Sequence, residues 1–402
     1  MCGGYAGVAP EFQGKSGPFE FLLFHRISSE LVTLMVKIRE IQIFAHELPV
    51  KNGPYTMAKA DIWSVTTVLV ALKGNNGLVG WGETCPLGAT YAPAHTEGTI
   101  SALKLMAPHL IGEDVLPQPL YAAMDNVLNG HNYAKSAIDI AAHDLLGKSL
   151  GVSVADLLGG ALTDQMPSYF ATGVGMPNEI AKIAKEKVNE GYPRIQVKVG
   201  RGDVAQSIET IHKVWEAIGK SEARIAVDAN RGLNSRDAIL LSQTCRNIPF
   251  VLEQPCDTIE EMVRIRPQLN HPLYIDESSV DLNTVITVAG TGLVDGFGMK
   301  VSRIGGLSKM HAFRDICAAR HLPHTCDDSW GGNIIGAACA QIGSTVDPKL
   351  SEGVWLAAPY IEGNYDPKNP VQVEAGHVRR PTGPGLGVNP DIGIFGDPIA
   401  VF

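Results

Sequence analysis

The spacing of apolar residues changes along the chain, and each change predicts a different kind of structure. Near the amino end three runs alternate between apolar and polar positions: Val36–Phe44, Trp63–Leu72 and Gly77–Gly82. With the turn residues Asn75 and Asn76 before the third run, this alternation predicts a small antiparallel sheet. From 97 to 158 the period moves towards 3.6, and Ala134–Lys148 is the clearest predicted helix.

A different sequence pattern begins at residue 166, where eight short β-rich runs alternate with helical segments. The runs are Ser168–Ala171, Arg194–Val199, Arg224–Asp228, Phe250–Glu253, Leu273–Asp276, Gly296–Lys300, Leu322–Asp327 and Gly353–Leu356. Strand–helix alternation predicts parallel strands that are joined by crossover helices. Eight such units predict an α/β fold, a (β/α)-barrel of the modified TIM-barrel type.

These patterns divide the chain into four parts. Residues 1–34 form an extension that is rich in glycine and is interpreted as disordered, or as the product of a start codon assigned too early. Residues 35–160 are predicted to form an α+β capping domain, and residues 161–356 the barrel with the active site. Residues 357–402 are loop-rich and are predicted to return to the capping domain.

Composition and charge exclude several classes of partner. The net charge of −9 argues against nucleic acid, because phosphate backbones bind basic surfaces. No apolar run approaches the roughly 20 residues that span a bilayer, so no membrane association is expected. The seven cysteines are an odd number without a Cys-x-x-Cys pair, which favours reduced thiols in a cytoplasmic protein.

Ionisable residues stand at the carboxyl ends of six consecutive predicted strands. They are Lys198, Asp228, Glu253, Asp276, Lys300 and Asp327. In a barrel these strand ends converge on one mouth, where active sites lie. Single acids at strand ends often cap the following helix. Three acids on consecutive strands instead predict a site for a hard cation such as Mg²⁺, with Asp228, Glu253 and Asp276 as its oxygen ligands.

The two lysines add an acid–base function to this predicted metal site. Lys198 follows the second strand and Lys300 the sixth, so they are expected on opposite faces of the mouth. Removing a proton beside a carboxylate creates a dianionic enediolate, which a bound divalent cation would stabilise. A lysine close to a metal and another cation has a depressed pKa and acts as a base near neutral pH.

Several motifs resemble one known family over residues 36 to 400. The predicted helix Ala134–Lys148 and the motifs Asp228-Ala-Asn230, Glu253-Gln-Pro255, Asp276-Glu277 and Gly298-Met-Lys300 are similar to those of the mandelate racemase/muconate-lactonising group of the enolase superfamily. The resemblance implies the same metal ligands and the same lysine pair, with the first domain closing over the substrate. One departure is Gln196-Val-Lys198, where this group usually carries Lys-x-Lys.

Further motifs resemble the family members that act on hydroxyproline and its betaine. They are Thr84-Cys-Pro86, Thr90-Tyr-Ala-Pro93, Gly130–Lys135, Asp327-Asp328 and Glu352-Gly-Val-Trp355. This resemblance implies a homo-oligomer that binds a cyclic amino acid or its betaine. Tyr91 and Trp355 match an aromatic pair that attracts a quaternary ammonium by cation–π interaction. The substrate contacts it implies are Tyr91, Gln196, Asp327, Asp328, Trp330 and Trp355.

Two reactions fit these motifs. The epimerases that act on betaines carry Asp-Asp-Ala-Trp-Gly-Gly-Asp at the seventh strand, whereas this chain has Ser329 and Asn333 in place of the alanine and the last aspartate. The added hydroxyl and the lost negative charge favour dehydration of cis-3-hydroxy-L-proline, with 2-epimerisation of 4-hydroxyproline betaine or proline betaine as the alternative. Muconate cycloisomerisation, dipeptide epimerisation and a non-catalytic metal-bound binding protein are more distant alternatives.

Overall fold

The structure is a computed structural model that describes residues 36–402, so the predicted extension 1–34 lies outside the described residues. An antiparallel sheet of four strands comes first. Its strands are β1 (Ile38–Pro49), β4 (Ser64–Gly74), β5 (Val79–Thr84) and β17 (Ala400–Val401). Their order in the sheet is β17-β1-β4-β5. The segment between β1 and β4 forms a small hairpin of β2 (Tyr55–Thr56) and β3 (Asp61–Ile62).

Four helices follow the first sheet along the chain. They are α1 (Thr96–Met106), α2 (Pro117–Val127), α3 (Asn132–Leu150) and α4 (Val154–Leu157). The long helix α3 contains the predicted helix Ala134–Lys148 and extends it by two residues at each end. Almost all of α3 is buried, because it packs between the sheet and the barrel.

Eight parallel strands then form the second sheet, in the order β7 to β14. They are β7 (Phe170–Ala171), β8 (Arg194–Lys198), β9 (Arg224–Asp228), β10 (Phe250–Glu253), β11 (Leu273–Ile275), β12 (Gly296–Phe297), β13 (His324–Thr325) and β14 (Ser351–Gly353). The Val354 amide donates to the Pro167 carbonyl, which joins the last strand to the segment before the first and closes the barrel.

Helices connect each barrel strand to the next one. They are α5 (Pro177–Asn189), α6 (Val204–Ile218), α7 (Ser235–Thr244), α8 (Ile259–Ile265), α9 (Leu282–Thr291), α10 (Val301–Ile304), α11 (Leu307–Arg320) and α12 (Asn333–Gly343). A three-stranded sheet combines β6 (Gln165–Pro167) with β15 (Val373–Glu374) and β16 (His377–Arg379). The predicted modified TIM barrel with an α+β cap is therefore confirmed. No helix of residues 36–402 is both long and apolar enough to cross a membrane.

The later barrel strands are shorter than predicted. The predicted strands Gly296–Lys300 and Leu322–Asp327 each reduce to two residues, and beyond them a single parallel bridge between Lys300 and Asp327 continues the pairing. The eighth strand lies at Ser351–Gly353 rather than Gly353–Leu356. Gly353 has a φ of 111°, and this left-handed conformation ends the strand at the first of the predicted residues.

Direct backbone contact joins the first sheet to α3. A Cβ added to Gly82 would overlap the carbonyl of Ala137, and one added to Gly80 would overlap that of Ala141. We expect Gly82→Ala to lower the free energy of unfolding by about 3 kcal/mol, because β5 must move away from the helix. Thermal and denaturant unfolding would measure the loss.

Gly290→Ala is the matched control for this substitution. Gly290 lies in α9 with open space around its Cα, so alanine should raise the free energy of unfolding by up to about 1 kcal/mol. Equal stability of the Gly82→Ala protein and the unmodified protein would contradict the close helix–sheet contact.

Candidate active site

Three carboxylates meet at the mouth of the barrel, as the strand pattern predicted. Asp228 ends β9, Glu253 ends β10 and pairs with Asp228 across the ladder, and Asp276 directly follows β11. Each offers one oxygen within 4.8 Å of the others, and all three side chains are buried. We call this group the acidic triad.

The electrostatics of the triad fit a hard divalent cation. Burial, together with the nearby charges of Asp228 and Asp276, raises the pKa of Glu253 to about 8. Burial has the same tendency at Asp276, but Arg303 and Lys300 lie beside it and bring its pKa below the usual value. Three converging, buried carboxylate oxygens are the donor set that Mg²⁺ prefers.

Neighbouring polar groups fix the orientation of each carboxylate in the triad. Gln196 donates from Nε2 to the Glu253 Oε2 atom at 2.8 Å. Asn230 donates from its side-chain amide to Asp228 Oδ2 at 3.1 Å. Asp276 accepts from the Arg303 guanidinium at 2.6 Å and from the Tyr91 hydroxyl at 3.2 Å. Neither Asn230 nor Arg303 was predicted as a site residue, although Asn230 belongs to the Asp228-Ala-Asn230 motif and Arg303 stands three residues after Lys300.

The two predicted lysines lie on strands that are four positions apart in the eight-stranded barrel. Lys198 ends β8 and its Nζ atom lies 2.5 Å from Asp228 Oδ2. Lys300 follows β12 and its Nζ atom lies 3.4 Å from Asp327 Oδ2 and 4.0 Å from Asp276 Oδ1. Both amines line the same cavity, so the barrel presents them to a shared space from opposite sides.

The pKa of both lysines moves against the expected direction. Burial favours the neutral amines, but Asp228 and Glu253 beside Lys198 raise its pKa, and Asp276 and Asp327 do the same at Lys300. The expectation of depressed pKa values counted the cations near each lysine and omitted the surplus of carboxylates. A divalent cation held by these carboxylates would offset their effect on both amines.

A cavity of about 40 Å³ lies at the mouth between the triad, the lysines and the cap. Its cap side is formed by Tyr55, Met57, Leu87 and Tyr91. The barrel side of the same cavity includes Lys198, Lys300 and Asp276. A small molecule bound here would therefore lie between both lysines and the cap.

Aromatic rings form one wall of this cavity. The Trp330 and Trp355 ring centroids lie 5.8 Å apart at 75°, and Tyr55 contacts Trp330 edge-on at 5.5 Å. Tyr91 and Trp355, the predicted aromatic pair, both line the cavity. Its polar wall includes Gln196, Asp328 and Ser329.

Two residues used in the sequence interpretation lie away from this cavity. Asn333, the first residue of α12, does not line the cavity, and its side-chain oxygen accepts from the Tyr365 amide at 2.6 Å. Asp327 is fully buried behind Lys300 and accepts from the Tyr169 hydroxyl. Ser329 does face the cavity, where its hydroxyl hydrogen-bonds Tyr133 at 3.0 Å.

Comparison with known proteins identifies the family. Residues 38–159 match the mandelate racemase/muconate lactonizing enzyme N-terminal domain, and residues 179–393 match the enolase C-terminal domain-like family. The chain belongs to the mandelate racemase/muconate lactonizing enzyme family of the enolase superfamily. The resemblance read from the sequence is confirmed.

Three relatives illustrate the chemistry of this family. A cis-3-hydroxy-L-proline dehydratase from Roseibium aggregatum is 34% identical over 91% of this chain and 99% of its own length. An N-succinyl-L-Arg/Lys racemase from Bacillus cereus is 31% identical over 79% and 82%. An enolase-superfamily member from Roseovarius nubinhibens, solved in complex with magnesium, is 27% identical with a TM-score of 0.86 and coverages of 91% and 99%. These relatives support a dehydratase or epimerase activity of the enolase-superfamily type.

Proposed function

We propose that this enzyme removes the α-proton of a proline-derived carboxylate and that its reaction is the dehydration of cis-3-hydroxy-L-proline to 1-pyrroline-2-carboxylate. The observation that carries the proposal is the placement of two buried lysines on opposite sides of one small cavity beside the acidic triad. The dehydratase from Roseibium aggregatum supports the choice of substrate.

Asp228, Glu253 and Asp276 would hold Mg²⁺ in this proposal. The cation supplies positive charge that stabilises the substrate carboxylate as negative charge develops on it. Gln196, Asn230, Tyr91 and Arg303 keep the three ligands in place through the hydrogen bonds described above. The site then needs one base and one acid from the chain itself.

The stereochemistry of the substrate matches two opposed lysines. In cis-3-hydroxy-L-proline the hydroxyl and the carboxylate lie on one face of the ring, so the α-proton and the hydroxyl point to opposite faces. Lys198 takes the α-proton on one face, and Lys300 gives a proton to the departing hydroxyl on the other. The carbon–oxygen bond breaks, water leaves, and the resulting cyclic enamine tautomerises to the imine.

We assign recognition of the ring nitrogen to Asp328. Its carboxylate lines the cavity and is held by the backbone amides of Ser302 and Ser329, both at 2.7 Å. Burial raises the pKa of Asp328 to about 6, so the group is ionised at neutral pH and accepts from a secondary ammonium. Trp330 and Trp355 surround the apolar part of the ring.

Epimerisation of a betaine is the second candidate, and the aromatic pair favours it. Tyr91 and Trp355 line the cavity, and aromatic faces attract quaternary ammonium groups. Without a leaving group, Lys300 would return a proton to the α-carbon on the face opposite to Lys198. The product would be the 2-epimer of the substrate, and the same residues would serve both reactions.

Incubation with Mg²⁺ in D₂O separates the two candidates. We expect cis-3-hydroxy-L-proline to yield 1-pyrroline-2-carboxylate, measured by NMR, and trans-3-hydroxy-L-proline to react at least tenfold more slowly, since its α-proton and hydroxyl share a face. Epimerisation of proline betaine or 4-hydroxyproline betaine without ring dehydration would favour the second candidate. The absence of both pyrroline formation and deuterium incorporation with all of these compounds would refute both candidates.

A further inference from the structure

Asp327 was predicted to contact substrate, and in the structure its carboxylate is surrounded by other groups of the protein. The side chain is fully buried, and both carboxylate oxygens are occupied by groups of the protein. Oδ1 accepts from the Trp355 backbone amide at 2.6 Å. Oδ2 accepts from the Tyr169 hydroxyl at 2.7 Å and from Lys300 Nζ at 3.4 Å.

The backbone of Asp327 also holds the segment that carries Lys300. The Asp327 amide donates to the Met299 carbonyl at 3.0 Å, and the Val301 amide donates to the Asp327 carbonyl at 2.8 Å. These two hydrogen bonds lie on either side of Lys300 in the chain. Asp327 therefore fixes both the main chain and the amine of Lys300.

Tyr169, which directly precedes β7, orients the Asp327 carboxylate through a hydrogen bond from its hydroxyl. Its ring is buried, and the Arg194 guanidinium lies 4.6 Å from the ring centroid, which limits its movement. Its hydroxyl donates to the same oxygen that contacts Lys300. A chain of contacts thus runs from Tyr169 through Asp327 to the amine of Lys300.

We propose that Tyr169 and Asp327 are positioning residues that hold the Lys300 amine at its face of the substrate. The inference rests on the function proposed above, in which each lysine serves one face of the ring. Lysine has a long and flexible side chain, and proton transfer is fast only when donor and acceptor are held at hydrogen-bond distance. Loss of the Tyr169 hydroxyl should therefore affect one face of the substrate and leave the other unchanged.

Tyr169→Phe tests this inference with L-proline and D-proline, which present their α-protons to opposite faces and have no hydroxyl to lose. We expect α-deuteration in D₂O with Mg²⁺ to slow by about tenfold for the enantiomer that Lys300 serves and by less than about twofold for the other. Lys300→Ala identifies which enantiomer each lysine serves. Calorimetry should show unchanged Mg²⁺ binding, because the Tyr169 hydroxyl hydrogen-bonds Asp327, which is not one of the triad carboxylates.

Tyr274→Phe is the matched control, since it removes a buried barrel hydroxyl that donates to Glu352 at 3.2 Å and has no contact with Asp327. It should leave both exchange rates unchanged. Equal slowing of both enantiomers by Tyr169→Phe, or no slowing of either, would overturn the inference. If the unmodified protein exchanged only one enantiomer or neither, the two-lysine function itself would fail, and this result needs no variant.

Discussion

Replacing Lys300 with alanine is expected to lower kcat by about 10³-fold, because a positioned acid or base contributes about 10²- to 10⁴-fold to a proton transfer. The variant should still fold and bind Mg²⁺, since Lys300 approaches the triad no closer than 4.0 Å and is not one of its carboxylates. Steady-state kinetics with cis-3-hydroxy-L-proline would measure the loss, and calorimetry would measure Mg²⁺ binding.

Lys182→Ala is the control for this substitution. Lys182 lies on α5 with its side chain 78% exposed, so its removal should leave kcat unchanged. Activity of Lys300→Ala within about tenfold of the unmodified protein would contradict an acid–base role for this lysine. That outcome would not contradict the assignment of the acidic triad as a metal site.

Glu253→Gln should have opposite effects on the stability of the metal-free protein and on metal binding. It removes one of three converging negative charges, so it should stabilise the protein in the presence of a chelator. It also removes one metal ligand, so saturating Mg²⁺ should no longer stabilise the protein or support turnover. For the unmodified protein, a ligand at 100 times its Kd stabilises by about 2.7 kcal/mol.

The difference in stability between Glu253→Gln and the unmodified metal-free protein should depend on pH. The folded protein raises the pKa of Glu253 from 4.5 to about 8, so it binds this proton more tightly than the unfolded chain does. The stability that this proton contributes is complete below about pH 4.5 and is lost as the pH rises through about 8. Glutamine cannot lose such a proton, so the advantage of Glu253→Gln should grow across this range.

Thermal unfolding in chelator and in Mg²⁺, measured at pH 5 and pH 8, tests both statements. Glu186→Gln on α5 is a control, because its carboxylate is largely exposed and lies far from the triad in the sequence. An undiminished Mg²⁺-dependent rise in melting temperature for Glu253→Gln would show that Glu253 is not a ligand.

The sequence predicted the triad because strand pattern and barrel topology are enough to locate it. Asp228, Glu253 and Asp276 each follow an apolar run, and parallel strands bring such positions to one rim whatever the details of packing. The same reasoning located Lys198 and Lys300. Their positions in the barrel depend on the order of the strands, and this order is the same as the order of the strands in the sequence.

The residues that the sequence did not predict depend on contacts between distant segments. Met57 and Leu87 reach the cavity from loops of the cap, and Tyr169 reaches Asp327 across 158 residues of sequence. Strand and helix periodicity carries no information about such contacts. Asn333 is the opposite case. It stands close to the site motif in the sequence, but its side chain accepts from the Tyr365 amide and does not line the cavity.

The pairing of β17 with β1 has a consequence for synthesis of the protein. Ala400 pairs with Ile43, so the edge of the first sheet is formed by residues that leave the ribosome after the whole barrel sequence. Phe395, whose ring lies 6.0 Å from that of Phe44, arrives equally late. The amino-terminal sheet therefore lacks its β17 edge strand until the barrel sequence has been translated, and during that interval the free edge of β1 can pair with other chains or bind chaperones.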